Sequence, residues 1–279
     1  MKKYIDKFKI DASYFLMNTT APIPLFGKNR ELAKLAQIKF DEIRTSYSNE
    51  IVRGKNFIIH EFGEGDKKAL VCHGWMSSSV HMVKQILNLV EHGYKVYAID
   101  FPGHGKSKGF KCSWKDAVEA ILITQRLKGK FDLVLGHSFG GGMLVNASAL
   151  SHLTDEFKDF LDAKQYVLLA SALSVNVPIR IFSRLTGLKK NSQSHLRDKI
   201  TVDANIDFEK MSARYLQTNF PTDSKFLLIH GTKDKVVKID ESRDFAKMGE
   251  KVELIELGDI GHLNIIYSDK IIDLINGKL

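Results

Sequence analysis

Cysteine is scarce: Cys72 and Cys112 are the only two in 279 residues. That excludes a disulfide-rich scaffold and a cysteine zinc site. No uncharged apolar run approaches the ~18 residues a bilayer span requires, so no stable membrane insertion is expected. No repeat or low-complexity tract stands out, which argues against solenoids and arrays. Basic residues exceed acidic ones for a net charge of +8, but the longest purely basic runs are pairs: Lys2-Lys3, Lys67-Lys68 and Lys189-Lys190. A dense phosphate-binding patch is missing, and nucleic acid is not an expected partner. The opening M-K-K-Y-I-D-K-F-K-I-D has the positive charge of a signal peptide without its apolar stretch. A soluble, cytoplasmic protein is therefore expected.

What is present is an ordinary globular composition, 44% hydrophobic and 27% charged, in a chain long enough for one large domain or two small ones. From Asn56 onward short β-branched runs alternate with helical patterns. F-I-I-H (57–60) and A-L-V-C (69–72) read as strands joined through the turn G-E-G-D. Residues 78–92 carry Val80, Val83, Ile86, Leu87 and Val90 at helical spacing. Y-K-V-Y-A-I (94–99), D-L-V-L (132–135), Y-V-L-L-A (166–170), F-L-L-I-H (226–230) and V-E-L-I-E (252–256) are further strands. Helical patterns lie near 238–248 and 263–275, and Ser113 with Asp116 signals a capping box. Strands that are apolar throughout, alternating with helices, predict an α/β fold with a mostly parallel central sheet and helices on both faces.

Two stretches fall outside this rhythm. Residues 1–50 are expected to form an N-terminal helical extension that packs on the core through Leu32, Leu35, Ala36, Phe40 and Ile43. Residues 172–220 interrupt the alternation, leaving 51–171 and 221–279 as the core.

The sharpest chemical signal is G-H-S-F-G (136–140), directly after D-L-V-L and before a helical pattern. A tight strand-to-helix turn lifts the Ser138 hydroxyl above the strand ends, and its flanking glycines avoid clashes. A Gly-rich helix cap is the plainer alternative, and the strand–turn–helix context favours the nucleophile. A serine nucleophile requires a base, and the base requires an orienting acid, in the chain order Ser, Asp, His for this architecture. His262, in L-G-D-I-G-H-L after the last strand, is best placed as the base. Asp234, in H-G-T-K-D-K-V-V after F-L-L-I, is the expected acid, with Asp259 as its rival. For the oxyanion, the backbone N–H of Phe139 is one expected donor. The loop H-G-W-M-S-S-S supplies the second from Trp75 or, as the lesser choice, Met76.

H-G-W (73–75), D-F-P-G-H-G-K-S (100–107), G-H-S-F-G-G (136–141), H-G-T-K-D-K-V-V (230–237) and G-H (261–262) together resemble the serine-type α/β-hydrolase family over roughly residues 50–279. The resemblance implies the α/β-hydrolase fold with a small cap insertion at 172–220, and a structural role for Asp100 and His104. Where the family usually has glycine after H-G-x, this chain has Met76. The expected activity is hydrolysis of a carboxylic ester or thioester by a Ser-His-Asp triad through an acyl-enzyme. No cofactor or metal is expected: Cys72 reads as a core thiol, and His73 lacks a ligand spacing such as H-x-x-x-H.

Trp75, Met76, Val175 and Phe182 are the expected substrate-binding residues. The cap's Leu173, Val177, Ile179, Ile181 and Leu185 extend the apolar surface. Its Arg180, Arg184, Lys189, Lys190 and Arg197 suit a charged, carrier-linked acyl group if they are not simply solvated. A non-catalytic binding protein on the same fold is the alternative from another class.

Overall fold

The computed structural model describes residues 2–20, 28–149, 156–157, 159–205, 223–247 and 249–279. Eight strands form one sheet: β1 (Arg44–Val52), β2 (Lys55–Phe62), β3 (Lys67–Cys72), β4 (Tyr94–Asp100), β5 (Phe131–His137), β6 (Ala163–Leu169), β7 (Lys225–Gly231) and β8 (Val252–Leu257). Their order is β1-β2-β4-β3-β5-β6-β7-β8. β2 runs antiparallel to both β1 and β4, and every pairing from β4 to β8 is parallel. The turn G-E-G-D does join β2 to β3, but β4 lies between them in the sheet, so the two do not pair.

The apolar runs are buried on both faces because helices cover both. Leu70, Cys72, Val134, Leu168 and Leu228 face α4 (Trp114–Lys128), α5 (Phe139–Ala149) and α8 (Asp240–Ala246). Ala69, Val71, Leu135, Val167 and Ile229 face α2 (Lys28–Ile43), α3 (Val83–Glu91) and α9 (Asp269–Asn276). The α4 start is the predicted capping box, with Asp116 N–H donating to Ser113 Oγ and Ser113 N–H to Asp116 Oδ2.

The sheet begins earlier than the sequence suggested. Arg44–Val52, partly inside the expected 1–50 extension, is an edge strand paired along its length with β2. Its T-S-Y-S-N-E stretch lacks apolar alternation, because an edge strand leaves most of its side chains to solvent. Within α2, Ala36 and Phe40 reach the core while Leu35 is exposed; the side chain of Leu32 lies outside the described residues.

α1 (Lys2–Met17) packs elsewhere, against α6 (Asn176–Thr186) and α7 (Gln193–Ala204), which are inserted between β6 and β7. Lys9 Nζ donates to Gly187 O at 3.0 Å, the Ser13 and Thr186 hydroxyls lie 2.7 Å apart, and Lys199 pairs with Asp11. No described helix is long and apolar enough to cross a membrane.

Candidate active site

β5 delivers the chain into a turn whose apex, Ser138, has φ 52°, the left-handed region that L-residues seldom occupy. Main-chain bonds hold it there: Ser138 N–H donates to Leu169 O, and Ser138 O accepts from Gly142 N–H and Ala172 N–H. The motif glycines permit the close passage of α5. A Cβ on Gly136 would lie 2.5 Å from the Gly141 backbone, and one on Gly140 would lie 2.4 Å from Cys72 O. Gly140→Ala must therefore push α5 away from β3. It is expected to cost about 1–3 kcal/mol of stability, measurable by urea unfolding. Stability unchanged from the parent would show that the approach is looser than drawn.

Three side chains from separate sheet-edge loops meet at this apex. His262 Nε2 lies 2.9 Å from Ser138 Oγ, and its Nδ1 lies 2.7 Å from Asp234 Oδ2. Asp234 Oδ1 accepts from the N–H groups of Val236 and Val237, which fixes the carboxylate plane. Burial alone would raise the Asp234 carboxyl. His230, 3.4 Å from Oδ2, and His262 outweigh it with the Val236 N–H, and hold the group well below the usual carboxylate range. Asp259 is turned to solvent and pairs with Lys233 at 2.6 Å, away from His262.

A second histidine supports the first. His137 Nε2–H donates to the His262 carbonyl at 3.0 Å, and the two rings lie 4.9 Å apart. Burial, with His262 beside it, pushes the His137 imidazole down to about 3, so it stays neutral. The sequence placed His137 next to the serine, but nothing local to it announces a bond to a carbonyl 125 residues away.

Asp100 and His104 sit in a separate network. Asp100 accepts from Ser79 N–H, Lys106 N–H and His60 Nε2, while His104 Nδ1–H donates to Pro102 O. Cys72 is fully buried in β3, and burial pushes its thiol far up.

The N–H of Phe139 opens α5, where first-turn donors have no intrahelical acceptor. Trp75 follows β3, its ring 5.0 Å from that of Phe139. Met76 adopts φ 56°, the conformation for which glycine is usual at that place.

A cavity of about 150 Å³ opens beside Ser138. Its walls come from Tyr14, Met17 and Asn18 of the N-terminal segment, Trp75, Trp114, one face of α5, and the inserted α6 and α7. Of the expected substrate-binding residues, Trp75, Val175 and Phe182 line it and Met76 does not. Val177 and Ile181 line it too, whereas Leu173 and Ile179 are buried in the core and Leu185 is exposed. Arg180, Arg184, Lys189, Lys190 and Arg197 are absent from its lining. Tyr14 and Asn18 were beyond sequence reasoning, since nothing local to α1 shows that it folds over the site.

Comparison with known proteins agrees with this architecture. The profile of the alpha/beta hydrolase family matches residues 69–274. A serine hydrolase-like protein of Dictyostelium discoideum is 29% identical over 143 residues, covering 47% of this chain and 40% of its own length. The chain thus spans less than half of that relative. A non-heme haloperoxidase of Rhodococcus erythropolis is 26% identical over 233 residues, 69% of this chain and 84% of the relative. An esterase of Pyrococcus furiosus superposes with a TM-score of 0.60 at 17% identity, over 94% of this chain and 95% of the other, a likeness of fold.

Proposed function

The chain belongs to the alpha/beta hydrolase family, and from that premise we propose that it is a serine hydrolase cleaving carboxylic esters, with thioesters next. The observation that carries this reading is the relay in which one imidazole bridges Ser138 at 2.9 Å and Asp234 at 2.7 Å. A pure binding protein has no physical need of that arrangement.

Asp234 accepts a hydrogen bond from His262 Nδ1–H, which keeps the proton on Nδ1 and leaves Nε2 as the acceptor facing the serine hydroxyl. Ser138 Oγ attacks the acyl carbon while Nε2 takes its proton. The carbonyl oxygen becomes an oxyanion held by the N–H groups of Phe139 and Trp75, donors of a kind worth about 3–4 kcal/mol each. Collapse breaks the bond to the leaving alcohol or thiol, which receives the proton from His262. Water then attacks the acyl-enzyme with His262 again as base, releasing the carboxylic acid and restoring Ser138. The mainly apolar cavity suits an acyl chain, and residues 172–205 act in this reading as the described part of a cap that shapes it.

A fluorophosphonate probe tests the reading. Covalent labelling at Ser138, together with turnover of an ester and thioester panel, is expected. An unlabelled, folded protein inert toward the whole panel would leave the binding-protein alternative standing.

A further inference from the structure

Three buried polar atoms on residues that line the cavity have no hydrogen-bond partner among the described residues: Asn146 Oδ1 and the indole N–H groups of Trp75 and Trp114. A buried polar group left unmet is costly, because it loses its water without a replacement. Of the twelve such side-chain atoms among the described residues, these three belong to one cavity lining. Asn146 is only 7% exposed, and its orientation is set, since Nδ2 donates to Gly142 O at 2.8 Å. Flipping the amide would bring two acceptor oxygens together, so the free atom is an acceptor.

The residues that carry these atoms are spread along the cavity. Phe139, Met143 and Asn146 share one face of α5 and all line it. Asn146 therefore stands about 10 Å along the helix axis from the nucleophile end, at ~1.5 Å per residue. Trp75 packs on Phe139, at the near end. Trp114 packs on Phe157, whose segment is tied to the far end of α5 through Leu161 N–H and Ala147 O. The far end thus offers one acceptor and one donor, in a mainly apolar lining to which Tyr14, Asn18, Ser174 and Asp203 also contribute.

The cavity lining includes Ser138 but neither His262 nor Asp234. His262 must deliver its proton to the leaving group, so the leaving group lies on the histidine side and the acyl chain enters the cavity.

Resting on the serine hydrolase reading, we infer that the preferred substrates are hydroxyacyl esters: chains apolar next to the carbonyl that carry a hydroxyl further along. That hydroxyl donates to Asn146 Oδ1 and accepts from the Trp114 indole N–H, a pairing a plain acyl chain leaves unmade. Sites built around a substrate hydroxyl reject the analogue that lacks it far more strongly than apolar sites sort chain lengths.

The experiment compares kcat/KM for para-nitrophenyl octanoate with a series in which a single hydroxyl is walked along the chain. The parent is expected to favour one distal hydroxy ester by at least roughly tenfold. Asn146→Leu and, separately, Trp114→Phe are expected to shrink that ratio toward one or reverse it. A structural role alone would depress both esters alike and leave the ratio intact. Equal turnover of plain and hydroxylated esters by the parent would overturn the inference, as would a preference that survives in both variants. Failure of the underlying reading looks different: no ester is turned over and the fluorophosphonate does not label, and the inference falls with it.

Discussion

Alanine at position 138 is expected to lower kcat on an activated ester by roughly a millionfold, the loss seen when a serine nucleophile is removed. The fold should hold. Ser138 Oγ hydrogen-bonds His262 Nε2, and the bonds that shape the turn belong to the main chain. Alanine inherits those bonds and the same φ of 52°, so the strain of the apex is carried over rather than changed. A residual rate above that in water is expected, because the oxyanion donors and the cavity survive the substitution. Purified protein, with a thermal melt beside the kinetics, decides the matter. More than a percent or so of the parental kcat, with the melt unchanged, would remove Ser138 from the mechanism.

Asp234→Asn should cost about ten-thousandfold in kcat, the size of effect produced when a triad histidine is held in the wrong tautomer. The surroundings of Asp234 give the reason. Oδ1 receives two backbone N–H groups, from Val236 and Val237, so an asparagine must keep its carbonyl oxygen there. Its NH2 group then faces His262 Nδ1, where the carboxylate had accepted a hydrogen bond. The imidazole must present a lone pair at Nδ1 and carry its proton on Nε2, pointed at the hydroxyl it is meant to deprotonate. Asp259→Asn should change kcat by no more than a few-fold, since its carboxylate is exposed, pairs with Lys233 and does not meet His262. A larger loss at Asp259 than at Asp234 would exchange their roles.

The residues of this relay were legible in the sequence because each lies in a short apolar-strand-then-turn context, and because their chain order is constrained by the architecture. The same holds for the inner strands, whose apolar runs reflect burial on two faces. β1 was not legible: an edge strand is held by backbone pairing to β2, which polar side chains neither require nor advertise. Met76 misled for a local reason. It stands where glycine is usual, and in that left-handed conformation it does not join the cavity lining that its neighbour Trp75 enters. Tyr14, Trp114 and Asn146 were invisible as a group, because their common property is one cavity assembled from distant parts of the chain. Periodicity marks which face of a helix is apolar; it does not name the surface that face will meet.

The contact of α1 with α6 and α7 bears on how such a chain can acquire a new substrate. Ser13 and Thr186 meet across 173 residues of sequence, and both helices' segments contribute cavity wall. Grafting the 172–205 stretch from a relative would transplant half of a mould. Tyr14, Met17 and Asn18 would still be shaped for the old occupant, and Lys9 and Asp11 would seek partners at Gly187 and Lys199 that the graft had replaced. On the serine hydrolase reading proposed above, the heritable unit of specificity is thus split between two places in the gene, and recombination that moves one without the other is expected to break it.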